Sequence, residues 1–139
     1  MASKSKYYKH KILLVDDDPH ILDLYCEILA EQGYEITKAT SGESAIKELE
    51  SKHFDLVVTD LNMGQVDGIS VLKRAKLLDP ETMVIITTGN TDIHYAIEAL
   101  RLRATDYILK PFHVHYFLQQ VQHCFGQFES KPKAKKSAA

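Results

Sequence analysis

The 139-residue sequence has no apolar run near the roughly 20 residues needed to cross a bilayer. Its first stretch, Met1 to Lys11, is polar and lysine-bearing, which excludes an apolar segment of the signal-peptide type there. Only two cysteines occur, Cys26 and Cys124, far apart and outside any C-x-x-C pair. Two isolated thiols argue against a disulfide scaffold and fit a reducing cytoplasm, with both read as small apolar side chains. No G-x-G-x-x-G follows the first apolar run, so the dinucleotide-binding fingerprint is missing. No internal repeat, low-complexity block or second domain is visible.

What is present fits one domain with a core of ordinary size. With 45% hydrophobic and 26% charged residues, the composition is that of a soluble globular protein. The net charge of −2 hides an asymmetry. Lys4, Lys6, Lys9 and Lys11 lie at the front and Lys131, Lys133, Lys135 and Lys136 at the back, with no acid in either segment. Residues 12–130 hold nine basic and all 19 acidic residues, a net of −10. The expected organisation is a basic tail over 1–10, an acidic domain over 11–127, and a basic tail or truncated linker over 128–139. Tails this short read as solvated ends rather than as nucleic-acid-binding arms.

Apolar runs and turn residues alternate regularly through the body. Ile12 to Val15 is a first strand, closed by Asp16-Asp17-Asp18-Pro19. Asp18 before Pro19 is a helix-start signal, and Gly33 ends a helix over about 19–32. Tyr34 to Ala39 reads as a second, outer strand. Thr40-Ser41-Gly42-Glu43 offers a T-x-x-E capping box for helix two. A third strand ends at Asp60, and Asp67 is the expected N-cap of helix three, which Asp79-Pro80 stops. Strand four covers Met83 to Thr88, and helix four about Asp92 to Leu102. Strand five is Asp106 to Leu109, and helix five about His113 to Phe125. Strands alternating with helices imply an α/β fold: a doubly wound, five-stranded parallel sheet with helices on both faces.

Open sheets of this kind place their sites at the carboxyl ends of strands. The polar residues there are Asp16, Asp17, Asp60, Thr88 and Lys110. Three carboxylates on one edge cannot all stay ionised and unpaired. A hard dication with oxygen ligands is the simplest remedy, and Mg2+ suits it. Metal, free carboxylate and lysine together suit phosphoryl transfer, with Asp60 as nucleophile and Thr88 in reach of a phosphoryl oxygen. Each residue alone has a blander reading, as a helix cap or a surface group; their joint placement makes the case. His113 and His115 stand at i and i+2, which do not share a helix face, so they read as solvated or capping residues.

The chain resembles the receiver domain of two-component response regulators. The residues that carry the resemblance are Val15-Asp16-Asp17-Asp18-Pro19, Asp60-Leu61-Asn62-Met63, Asp67-Gly68, Thr88-Gly89 and Asp106-Tyr107-Ile108-Leu109-Lys110-Pro111-Phe112. They span about residues 11–127. The resemblance implies a flavodoxin-like (βα)5 fold and a phosphorylation-dependent switch in which Asp60 accepts the phosphoryl group. It implies that Asp17 holds Mg2+ directly, Asp16 mainly through water, and that Asp60 and the backbone carbonyl of Asn62 complete the metal site. Thr88 and Lys110 would read the phosphoryl group, and Tyr107 would turn inward as Thr88 moves. Asn62 and Asn90 occupy positions that tune phosphate lifetime.

The implied phosphodonor is a histidine kinase or a histidine phosphotransfer protein. The implied reader is a downstream protein or an output domain of the same protein, acting on the surface of helix four, strand five and helix five. That surface also offers a homodimer contact. The domain is not expected to be an enzyme beyond assisting its own phosphorylation and dephosphorylation, and a cytoplasmic location is expected. Two departures from the family stand out. Gly64 replaces the usual Pro, which predicts a more flexible loop after Asp60. Arg103 replaces a common turn Gly, at a cost on the order of 1 kcal/mol if φ is positive there. A magnesium-dependent phosphatase with an Asp nucleophile is the enzymatic rival, since Asp16-x-Asp18 fits its D-x-D start. That family wants Thr or Val at the position of His20, and a cap domain. A receiver fold that responds to something other than phosphate would be expected to lack part of the site.

Overall fold

Ten elements alternate strictly between strand and helix: β1 (Lys11–Val15), α1 (Pro19–Glu31), β2 (Glu35–Ala39), α2 (Gly42–Ser51), β3 (Leu56–Asp60), α3 (Gly68–Leu78), β4 (Met83–Thr88), α4 (Ile93–Arg101), β5 (Asp106–Leu109) and α5 (Val114–Cys124). The computed structural model describes residues 8–126. The tails expected at 1–10 and 128–139 therefore lie outside the described residues, apart from Tyr8, Lys9 and His10. Of these, Tyr8 and His10 pack onto the domain: the Tyr8 hydroxyl donates to Asp55 (2.8 Å), and the His10 ring stacks on Phe125 at 4.0 Å.

The strands form one parallel sheet in the order β2-β1-β3-β4-β5. The expected doubly wound α/β sheet is therefore what the chain adopts, with β2 on an outer edge. Strand alternation splits the core in two. Leu13, Val15, Val57, Val84 and Ile86 face one way, against Ala45 and Leu49 of α2, Leu72 and Ala75 of α3, and Ala99 of α4. Ile12, Leu14, Leu56, Val58 and Ile85 face the other, against Leu22 and Leu29 of α1 and Phe117 and Val121 of α5. Both faces are covered, which explains why β3 is buried at every position.

Helix ends follow the capping residues with one shift. Asp18, Asp67 and Asp92 each accept a backbone N–H, from His20, Ser70 and His94. For α2 the cap is Ser41, whose hydroxyl accepts from the Ser44 N–H (3.0 Å), and not Thr40. Thr40 lies one residue too early for its side chain to face the first turn. His113 occupies the N-cap position of α5 but makes no side-chain cap bond. Gly33 closes α1 at φ +92, and Arg103 adopts φ +70 in the α4–β5 turn. The strain expected of Arg103 is thus present. Gly64, in the loop after β3, sits at φ +90, a value closed to proline.

Candidate functional site

The strand order reverses between β1 and β3, and the connections leave to opposite sides there. A crevice at the carboxyl ends of these two strands is the expected binding place of such a sheet. Register lines the edge up: Val15 pairs with Thr59, Asp60 with Thr87, and Thr88 with Leu109. Asp16 and Asp17 follow β1, Asp60 ends β3, Thr88 ends β4 and Lys110 follows β5. All five reach one rim.

Asp60 is buried, with 8% of its surface exposed. The Leu61 N–H donates to its Oδ1 (2.9 Å), and the Lys110 ammonium lies 3.4 Å from the same oxygen. Lys110 also donates to Asp16 Oδ2 (3.3 Å), while Asp16 Oδ1 accepts from the Asp18 N–H (2.9 Å). Asp16 is thus held by the turn that starts α1, and Asp17 beside it faces solvent. Asp16, Asp17 and Asp60 each offer an oxygen within 4.8 Å of the others. Three carboxylates against one ammonium leave two negative charges uncompensated.

The electrostatics follow. Burial pushes the Asp60 carboxyl above the ordinary carboxylate range; Lys110 pulls it back and Asp16 pushes it further up. Burial alone would lower the Lys110 ammonium, but Asp60 and Asp16 outweigh it and hold it above its usual value. An all-oxygen donor set with excess negative charge, open on the Asp17 side, suits a hard dication.

Thr88 is fully buried, and its hydroxyl oxygen accepts from the Asn90 N–H (2.9 Å). That hydroxyl donates to Asn62 Oδ1 only at 3.4 Å, a long contact that a better acceptor would displace. Asn62 and Asn90 therefore both meet Thr88. Tyr107 on β5 stands apart from the carboxylates. It packs beside Tyr95 against the core, and its buried hydroxyl has no hydrogen-bond partner among the described residues. Burial pushes its phenol upward, with Asp92 adding to the effect.

Asp16, Asp17, Asp60 and Lys110 meet at this rim, Thr88 at the end of the neighbouring strand meets Asn62 and Asn90, and the Tyr107 hydroxyl bonds to none of them. Two supports were not singled out from the sequence for what they do. A Cβ on Gly68 would lie 2.5 Å from the Asp60 carbonyl oxygen and 2.9 Å from Leu61 Cα, so only glycine lets α3 start against the end of β3. The second is the Asp18 N–H, which fixes Asp16, whereas the sequence marks Asp18 only as a helix cap.

Fold and site together define a doubly wound α/β protein with an acidic, oxygen-donor pocket beside a lysine. The family described as response regulator receiver domain matches residues 12–122. The transcriptional regulatory protein ZraR of Escherichia coli (strain K12) is 39% identical over 100 residues, covering 72% of this chain and 23% of that protein. A CheY-like response regulator receiver domain protein from Methanospirillum hungatei JF-1 superposes with a TM-score of 0.82 at 29% identity, over 86% of this chain and 97% of that one. The response regulator TrrA of Thermotoga maritima, solved in complex with Mg(2+)-BeF, gives 0.74 at 30% identity, over 83% and 98%. The chain belongs to the response regulator receiver domain family. It spans about a quarter of the length of the curated relatives it matches. Receiver domains of this family generally bind Mg2+ at an acidic pocket and interact with histidine kinases and output domains. Among the described residues, no helix is long and apolar enough to cross a membrane.

Proposed function

We propose that this domain is a phosphorylation-dependent switch in which Asp60 takes a phosphoryl group from a histidine kinase or a histidine phosphotransfer protein. The observation that carries this reading is the Lys110 ammonium seated between Asp16 and Asp60, with Asp17 completing the cluster of carboxylates. Asp16, Asp17, Asp60 and the backbone carbonyl of Asn62 would hold Mg2+. When bound, Mg2+ supplies positive charge to the phosphoryl oxygens and lets three carboxylates stay ionised together. That TrrA was solved with Mg(2+)-BeF supports a pocket of this kind.

An Asp60 carboxylate oxygen attacks phosphorus in line. The new O–P bond forms as the P–N bond of phosphohistidine breaks, or the P–O bond of a small acyl phosphate, and the leaving group departs with the electron pair. Lys110 shifts its charge from Asp60 Oδ1 to a phosphoryl oxygen. Thr88 exchanges its long contact with Asn62 for a charge-assisted one. Tyr107, whose buried hydroxyl is unpartnered, turns as Thr88 moves. Asn62 and Asn90 flank the hydroxyl and set how readily water reaches the phosphoryl group. The domain assists its own phosphorylation and hydrolysis and is not an enzyme toward other substrates.

The surface of α4, β5 and α5 carries the output. Ile93, Ile97, Leu100, Leu109 and Tyr116 are exposed there, an apolar face suited to a partner protein, an output domain or a second copy. A full switch from 1:99 to 99:1 needs about 5.5 kcal/mol of differential stabilisation. The domain works in the cytoplasm, where Cys26 and Cys124 stay as free thiols. Incubation with acetyl phosphate and Mg2+ should add one phosphoryl group by intact mass, and Asp60→Asn should abolish it. An unchanged adduct yield in Asp60→Asn sinks the assignment.

A further inference from the structure

Lys110 stands outside the ladder of β5 and must reach across the rim to two carboxylates. Its backbone N–H donates to the Thr88 carbonyl (2.8 Å), which fixes where the residue leaves the sheet. The direction of the segment after it, Pro111-Phe112-His113, is fixed by neither strand nor helix. Phe112 is the anchor there. Its ring stacks on Phe117 of α5 (centroids 5.6 Å apart, 24° between planes) and on Tyr25 of α1 (5.9 Å, 27°). Tyr25 also stacks on Phe117 (4.9 Å, 28°). Three rings from two helices and one loop thus form a single cluster. Phe117 is fully buried and belongs to the core; Tyr25 and Phe112 are half-buried and pack against it.

We infer that Tyr25 is a positioning residue for Lys110: its ring clamps Phe112 against Phe117 and so aims the lysine two residues earlier at Asp16 and Asp60. The inference rests on the phosphoacceptor reading above for its kinetic consequence. The link is short and closed. Asp16 is tied to the start of α1 through Asp18, Tyr25 lies further along the same helix, and Phe112 follows Lys110 on the other side. The two partners of the Lys110–Asp16 contact are therefore held from opposite ends by one pair of stacked rings. Burial raises the Tyr25 phenol first of all, while Lys110 and Asp16 act on it in opposite senses, so the ring edge lies within the field of that pair. The stack requires a flat face of aromatic size. An aliphatic side chain fills the volume without fixing the tilt of Phe112.

The test compares Tyr25→Leu, which keeps apolar bulk, with Tyr25→Phe, which keeps the ring. Phosphorylation of the full chain by acetyl phosphate is followed at saturating Mg2+, and Mg2+ affinity is measured by calorimetry. Tyr25→Leu should lower the phosphorylation rate constant at least about tenfold with Mg2+ affinity within about twofold of the parent, because small misplacement of a charged group is costly in rate. Tyr25→Phe should restore the parent rate. NMR relaxation of the Lys110 Cε–Hε group in the unphosphorylated protein should show disorder in Tyr25→Leu and parent-like order in Tyr25→Phe. A parent rate in Tyr25→Leu, or an equal loss in both variants, overturns the inference. So does a loss of rate matched by an equal loss of Mg2+ affinity, which would mark general loosening. If the parent adds no phosphoryl group at Asp60, the phosphoacceptor reading fails, and the Lys110 relaxation comparison alone decides the positioning role.

Discussion

Two aspartates bracket β3, Asp55 just before its first residue and Asp60 at its last, and the strand buries both. They differ in what satisfies them. Asp55 Oδ2 accepts from the Tyr8 hydroxyl (2.8 Å) and the Lys11 N–H (2.8 Å), and its Oδ1 meets His53 Nε2 at 3.2 Å. His53 in turn reaches Asp79 through Nδ1 (3.3 Å). Burial and the Asp55 carboxylate together push the Tyr8 phenol up to about 12. Asp60 has one short backbone donor and an ammonium at 3.4 Å, and it shares its space with two like charges. A buried carboxylate whose lone pairs are filled by its own fold is a strut. One left short of donors beside other carboxylates has capacity for a ligand.

The comparison breaks most visibly at Asp55. Asp55→Ala leaves the Lys11 N–H and the Tyr8 hydroxyl without their acceptor, and should cost about 3 kcal/mol in urea denaturation. Phosphorylation of the folded fraction should be unchanged. If the variant instead kept its stability and lost its adduct, the two poles would have to exchange roles.

Asp60→Asn should act in the opposite sense and more weakly. The Asp60 carboxyl titrates above the ordinary range when folded, so its contribution to stability is full below the unfolded-state value of about 3.9 and is lost as pH rises through the higher folded value. Without Mg2+ at pH 7, the substitution should therefore raise stability, with the gain vanishing as pH falls below the unfolded-state value. Added Mg2+ should stabilise the parent but not the variant, since the ligand binds only the folded site. Thermal denaturation across pH, with and without the ion, checks both signs.

The smallest effect is expected at Arg103, in the turn leading into β5 at the Asp55 end of the sheet. Relief of its left-handed backbone by Arg103→Gly is partly offset by the freedom glycine gains when unfolded, leaving about 0.5 kcal/mol of stabilisation. The phosphorylation rate should not move. A change in rate would show that strain at this end reaches the opposite rim.

The Asp60 pole was legible from the sequence because its residues sit where apolar runs stop, and an apolar run followed by a charge marks both a strand and its end. Asp16, Asp60 and Lys110 each follow that rule, Thr88 follows it with a hydroxyl in place of the charge, and the β-α alternation alone places all four on one edge. The Asp55 pole was not legible. Phe54-Asp55 opens a strand without a distinguishing signal, and its partners Tyr8, Lys11 and His53 are brought to it by two different strand entries. The Tyr25–Phe112 stack is hidden for a similar reason: helical period places Tyr25 on one face of α1 and says nothing about which ring meets which. The shift of the α2 cap from Thr40 to Ser41 shows the ordinary limit of pattern reading, since both hydroxyls stand next to the helix start. At Gly64 the sequence shows a departure from proline but not the backbone angle, and the positive φ there is one that proline could not adopt.

The most direct measurement is to find which carboxylate carries the phosphoryl group. The protein is treated with acetyl phosphate and Mg2+, the acyl phosphate is reduced with borohydride, and peptide mass spectrometry locates the resulting homoserine. Homoserine at position 60 alone is the expected result. Homoserine at position 16, 17 or 55 with Asp60 intact would contradict the account.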